Sequence, residues 1–279
     1  MLIAPTAAAL APYVQSFWAS PASPARPGQR EQVLPGGQMH LALRLDGAGV
    51  RLYADAGAAP ARHIGHAVVA GAHDRPYFKD VSESSRSVGV LLLPGAAQAL
   101  FGCNADELSN RHVPLADLCG GAAETLLQRL AGETAPARQI ALLQAFLLRR
   151  LRPVRAMQPP VAQAIAALRD GGAVAPLVQA SGCSHKRFIA LFRAQTGLAP
   201  KCFARVQRLQ QVLHAPPSIA WAELALQAGY SDQAHFNREF RALTGLTPQA
   251  WRRCTPRNGA HVPLPPPGNF VQYRGEAAL

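Results

Sequence analysis

A nine-residue segment, FRAQTGLAP at 192–200, returns as FRALTGLTP at 240–248, with seven of nine residues identical at an offset of 48. A repeat of this length marks one supersecondary unit built twice. The similarity extends upstream, because Phe188 and Phe192 are four residues apart, as are Phe236 and Phe240, so each pair falls on one face of a helix. Before each pair stands a Gly-x-Ser turn, Gly182-Cys183-Ser184 and Gly229-Tyr230-Ser231, with one additional residue in the second copy. A glycine closing a helix takes the left-handed conformation that reverses the chain, and a serine opening the next helix accepts from its free amides. Each copy reads as helix, glycine turn, capped helix.

With the phenylalanines turned inward, His185, Lys186, Arg187 and Arg193 in the first copy face outward, as do Gln233, His235, Asn237, Arg238 and Arg241 in the second. Amide and basic side chains on a short exposed helix suit base edges and phosphates in the major groove of DNA. A solvated amphipathic face is the alternative for one copy; the same turn and basic bias occurring twice weigh against it. Between the copies, KCFARVQRLQQVL (201–213) keeps helical period without Gly or Pro. About 13 residues span roughly 20 Å, which with flanking turns could hold two reading helices near the ~34 Å of one DNA turn.

Charge follows the same division. The chain of 279 residues has a formal net charge of +12, which favours a polyanionic partner. Residues 161–255 hold 11 basic against 4 acidic side chains, while residues 1–160 hold 15 against 11. Most of the basic residues are arginine, whose fork suits phosphate and guanine. The five cysteines, Cys103, Cys119, Cys183, Cys202 and Cys254, form no C-x-x-C pair, so neither a disulfide framework nor a zinc site is expected. No uninterrupted apolar run reaches the ~18–20 residues of a membrane helix. A cytoplasmic, nucleoid-associated setting without membrane contact is the expectation.

The remaining chain reads as a second module. Residues 1–30 are rich in Ala and Pro, with Tyr13, Phe17 and Trp18 at helix-compatible spacing as core contacts. The apolar runs 40–45, 66–71 and 87–93, broken by Gly, Pro and Asp-Gly, have the look of short strands. After Pro94-Gly95 the period becomes helical; in 137–151, Ile140, Leu143, Leu147 and Leu151 share a face that packs on its own domain or on a second copy, the former favoured. The expected fold is α+β, with a small N-terminal sheet or barrel plus helices, and an all-α C-terminal domain of two helix-turn-helix units joined by a linker helix. The expected divisions are an N-terminal regulatory domain (1–155), a linker (156–160), a DNA-binding domain (161–254) and an irregular Pro-rich tail (255–279).

These residues carry a resemblance. Residues 161–253 resemble the DNA-binding region of the AraC/XylS regulators, most closely through Leu224-Ala225, Gly229-Tyr230-Ser231-Asp232-Gln233, Phe236, Arg238–Phe240, Thr244-Gly245 and Thr247-Pro248. The resemblance implies that Gln233, Ala234 and Arg238 face bases, Ala234 by its methyl alone. The first unit departs from the pattern at Val178, where the family has a small residue, at Ala190, where it has a basic one, and at Pro176, inside the expected first helix. It implies for Lys186 and Arg187 mainly phosphate positioning. The N-terminal region resembles the sensory half of one subgroup, through Tyr13–Trp18, Leu34-Pro35-Gly36-Gly37, Val90–Gly95, Glu107-Leu108 and Leu115–Leu118. The partners implied are double-stranded promoter DNA, a small-molecule effector of unstated identity, a second copy of the chain, and RNA polymerase if the protein activates.

Two other readings compete. An architectural DNA binder without sequence preference would share the salt dependence of binding. A metal-dependent enzyme could be drawn from His40, His63, His66 and His73, yet a His-x-x-His pair without an acidic ligand pattern is a weak metal signal. No phosphate loop or nucleophile elbow is present in the sequence, so no catalytic residue and no cofactor is expected.

Overall fold

The computed structural model describes residues 2–4, 6–55, 61–154, 157–254, 256 and 259–264. Its strands are β1 (Leu2–Ala4), β2 (Val14–Ser20), β3 (Arg30–Val33), β4 (Met39–Arg44), β5 (Val50–Tyr53), β6 (Arg62–Gly65), β7 (Ala67–Ala70), β8 (Tyr77–Asp80), β9 (Ser87–Leu92), β10 (His112–Pro114) and β11 (His261–Leu264). They form two antiparallel sheets, ordered β1-β2-β9-β4-β7-β10 and β11-β3-β8-β5-β6. The apolar runs expected to be strands are β4, β7 and β9. Central β9 lies between β2 and β4 and is buried on both faces over Val88–Val90, which is why it reads as a continuous apolar run rather than an alternation.

The aromatic patch departs from expectation. Phe17 and Trp18 lie on β2, not on a helix, and Tyr13 immediately precedes that strand. Pairing with β9 shifts register between Val14 and Ser16, so Val14 and Phe17, three apart, both face the core. An extra residue in one strand produces such an offset.

The helices are α1 (Leu115–Cys119), α2 (Ala122–Ala131), α3 (Pro136–Arg150), α4 (Pro159–Arg169), α5 (Val174–Ala180), α6 (His185–Thr196), α7 (Pro200–His214), α8 (Trp221–Gln227), α9 (Gln233–Thr244) and α10 (Pro248–Arg253). Several open on proline in the first turn, at Pro136, Pro159, Pro200 and Pro248, where the missing N–H has no helical partner to lose. In α3, Ile140, Leu143 and Leu147 are buried against β2 and β9 of the same chain.

Buried apolar side chains form two large groups that cut across the sequence divisions. One joins Phe17, Leu41 and Val90 of the sheets to Phe188, Phe192 and Phe203 of α6 and α7. The other is the core of α8–α10, closed by Leu34 from the end of β3 and by Val262 of β11. The tail expected to be irregular contains that strand: His261–Leu264 pairs antiparallel with Arg30–Val33. Pro263 is tolerated there because β11 is the edge of its sheet. Residue 155, linker residue 156 and tail residues 255, 257, 258 and 265–279 lie outside the described residues.

Candidate nucleic-acid interface

Both repeats fold as helix, turn, helix: α5 with α6, and α8 with α9. Gly182 (φ +64°) and Gly229 (φ +78°) sit in the left-handed region that the reversal requires. Ser184 caps α6, its hydroxyl accepting from the Arg187 amide at 3.3 Å. The second copy differs from expectation here. Asp232, the additional residue, caps α9 by accepting from the His235 amide at 2.6 Å, while the Ser231 hydroxyl donates to Asp232 at 3.1 Å. That amide bond holds the Asp232 carboxyl below the usual carboxylate range. A carboxylate is the stronger cap against the positive end of the helix dipole.

Pro176 does not break the first unit. It is the third residue of α5, within the opening turn, where backbone N–H groups lack an intrahelical acceptor. Phe188 and Phe192, and likewise Phe236 and Phe240, are fully buried. Each repeat then closes by the same device: the buried hydroxyl of Thr196 donates to the Phe192 carbonyl (2.9 Å) and accepts from the Leu198 amide (3.2 Å). Thr244 repeats it with Phe240 (2.8 Å) and Leu246 (3.1 Å). These threonines lie inside the repeated motif, which was the available signal for them.

His185, Lys186 and Arg187 are exposed on α6, and Gln233, Asn237, Arg238 and Arg241 are exposed on α9. Among the described residues, none of the five basic side chains in that set has a carboxylate within 4 Å. Two other expected contacts also have partners within the protein. Arg193 is exposed but lies 3.9 Å from Asp106 of the sheet module. His235 is half-buried, edge-on to the Tyr230 ring with centroids 5.5 Å apart, and its Nε2 is 3.3 Å from Glu239.

Glu239 was not singled out from the sequence. It lies on the inward side of α9, 8% exposed, 3.0 Å from Nε of Arg205 and 3.2 Å from Nη2 of Arg208, both on α7. A glutamate beside the second Phe, with arginines three apart on the linker helix, was the only trace in the sequence. The three cationic or imidazole partners converge on one carboxylate and tie α9 to α7. With 15 residues, α7 spans about 22 Å. Cation–π contact adds to this side: Arg252 lies 3.6 Å over the Trp221 ring.

Among the described residues no group of three His, Cys, Asp or Glu side chains could hold a metal ion. His63 instead meets the Ala48 carbonyl and His66 the Arg44 carbonyl. The five cysteines are free thiols. No helix among the described residues is long and apolar enough to cross a membrane.

A helix-turn-helix domain family matches residues 177–254. The arabinose operon regulatory protein of Escherichia coli (strain K12) is 30% identical over 125 residues, 40% of this chain and 43% of that relative. Together these two matches support an AraC family regulator. The N-terminal part is distinct, and residues 3–114 match a domain of unknown function, DUF6597. It spans less than half the length of the curated relative it matches. Among solved structures, ToxT from Vibrio cholerae is similar over 84% of this chain and 97% of that one, at 10% identity and a TM-score of 0.43. The xylose-binding transcription activator XylR is similar over 52% of this chain and 40% of that one, at 16% identity and a TM-score of 0.30.

Proposed function

We propose that this AraC-family protein is a sequence-specific DNA-binding transcription regulator in which α9 does most of the base reading and α6 mainly anchors on phosphate. One observation carries the reading: Gln233, Asn237, Arg238 and Arg241 stand exposed on a helix that is capped, packed through two phenylalanines and tied to α7 by Glu239. Arg can take guanine bidentately and Gln or Asn can take adenine. On α6, Lys186 and Arg187 offer charge near the start of the helix, Arg193 is engaged by Asp106, and Ala190 offers no hydrogen bond. In this reading residues 1–155 form the regulatory part, sensing an effector or pairing two copies, residues 156–160 link it to the DNA-binding part at 161–254, and RNA polymerase is a partner if the regulator activates.

Selection of bound fragments from a random DNA pool, followed by titration of the selected and an unrelated sequence, tests this. Arg238→Ala is expected to cost about 1–3 kcal/mol on the selected sequence and relax preference at one position. Lys186→Ala should weaken every sequence alike and lower the salt slope by about 1. Equal losses on all DNA for both substitutions would favour the architectural binder instead.

A further inference from the structure

At the open side of the sandwich, β6 of one sheet comes alongside β10 of the other. A cavity of ≈240 Å³ lies in the gap, lined by Arg62 and His63 of β6, Arg111, His112 and Val113 of the facing edge, and Asp117 of α1. The Arg62 guanidinium donates one bond, at 3.4 Å, to the His112 carbonyl, and that of Arg111 donates one, at 3.1 Å, to the Glu107 carbonyl. A guanidinium has five N–H donors, so most of each fork is left for another acceptor. Among the described residues, neither has a carboxylate within 4 Å. Two arginines distant in sequence thus meet across the edges of two sheets, against one carboxylate on the same rim.

Of the rings near the cavity, His112 lines it, and two others pack behind His112. His112 packs on Tyr77 (centroids 4.4 Å) and on His73 (4.7 Å). His73 is 6% exposed, and among the described residues its Nε2 has no hydrogen-bond partner. Burial, with His73 beside it, holds His112 down to about 3, so its ring is neutral and the positive charge of the cavity belongs to the arginines. The volume equals about eight waters at roughly 30 Å³ each and lies below the ~300 Å³ at which sites for larger ligands begin.

We propose that this cavity binds a small organic anion of about one ring in size, its oxyanion head held between Arg62 and Arg111 and its body beside His112 and Val113. Bidentate arginine geometry matches carboxylate and phosphate alike. The inference names a ligand class for the sensory role given above to the N-terminal sheets, and rests on that reading only for its consequence at DNA.

Calorimetric titration of the full chain without DNA, using benzoate, neutral benzamide and inorganic phosphate as probes, tests the site. Benzoate is expected to bind saturably, and benzamide at least about tenfold more weakly. The Arg62→Gln/Arg111→Gln double variant, checked for folding by circular dichroism and unchanged DNA affinity, should lose at least about tenfold. Asp117→Asn removes the repelling carboxylate and should tighten benzoate binding, which keeps the test open if the double variant does not fold. Phosphate binding in place of benzoate, with the same dependence on the two arginines, assigns the head group to the phosphate class. Benzamide binding as well as benzoate, indifference to the arginine substitutions, or no saturable binding of either anion below about 10 mM overturns the site. A separate DNA titration with and without benzoate distinguishes the two readings: benzoate binding that leaves DNA affinity unchanged keeps the site and sinks its sensory role.

Discussion

Replacing Glu239 by glutamine removes the charge at which Arg205, Arg208 and His235 converge while keeping the side chain's shape. Hydrogen bonds to a charged group contribute about 1.5–3 kcal/mol each, and two are made here by guanidinium groups at 3.0 and 3.2 Å. The full sum overstates the effect, since the Arg205 and His235 side chains are 41% and 40% exposed and recover hydration when released. Arg208, 25% exposed, loses more. A net cost of about 2 kcal/mol is expected for Glu239→Gln, and more for Glu239→Ala, which also opens a cavity. The assay is urea unfolding, read as a shift in midpoint at constant slope, alongside DNA titration. Because the carboxylate joins α9 to α7, DNA affinity should fall together with stability. A double-mutant cycle with Arg205→Ala isolates the pair. A loss under about 0.5 kcal/mol, or a coupling energy near zero with DNA affinity intact, would refute the assignment of Glu239 as the tie between α7 and α9.

Leu34→Ala, although it lies next to a sheet strand, empties a fully buried position in the core of α8–α10 and should cost about 2–5 kcal/mol, visible as faster amide exchange in α9. Gly71→Ala should prevent folding of the sheets, because its new carbon would fall 1.7 Å from the Leu108 carbonyl oxygen; normal thermal unfolding of that variant would contradict the packing. Acid should destabilise the protein through the ring cluster: burial lowers His73 to about 4 and His112 to about 3 from 6.5. The unfolded chain therefore binds more protons from about pH 6.5 downward, and stability falls with pH through that window by up to about 1.4 kcal/mol per unit for each titrating histidine. His112→Phe should flatten that slope in unfolding measured from pH 7 to pH 4, and an unchanged slope would mean that His112 is not held neutral.

How much of this was legible in the sequence depended on the range of the interaction. The two helix-turn-helix units were readable because each is local: a left-handed glycine, a cap and an i, i+4 phenylalanine pair are set within about 15 residues. The cap of α9 was misread by one residue because Ser231 and Asp232 both can cap and only the path of the chain from Gly229 selects between them. The Tyr13–Trp18 patch was misread because its i, i+4 spacing joins Tyr13, which precedes β2, to Phe17 on the strand, and spacing alone does not show where a strand begins. Outward-facing charge was readable as a set, but which members stay free was not. Arg193 and His235 are engaged by Asp106 and Glu239, residues that pattern alone does not pair with them.

The sequence by itself determined that this chain builds one helix-turn-helix unit twice, and where in each copy the helix begins, turns and buries its aromatic face, because those choices are made by neighbours along the chain. Only the tertiary structure decided that the sheets and the first unit share one core, that Leu34 and β11 close the core of the second, and that Glu239 fixes α9. The meeting of Arg62 and Arg111 across two sheet edges was decided there as well. The physical reason is common to all four. Burial and charge pairing act between surfaces brought together by the whole fold, and sequence spacing carries no record of which surfaces meet.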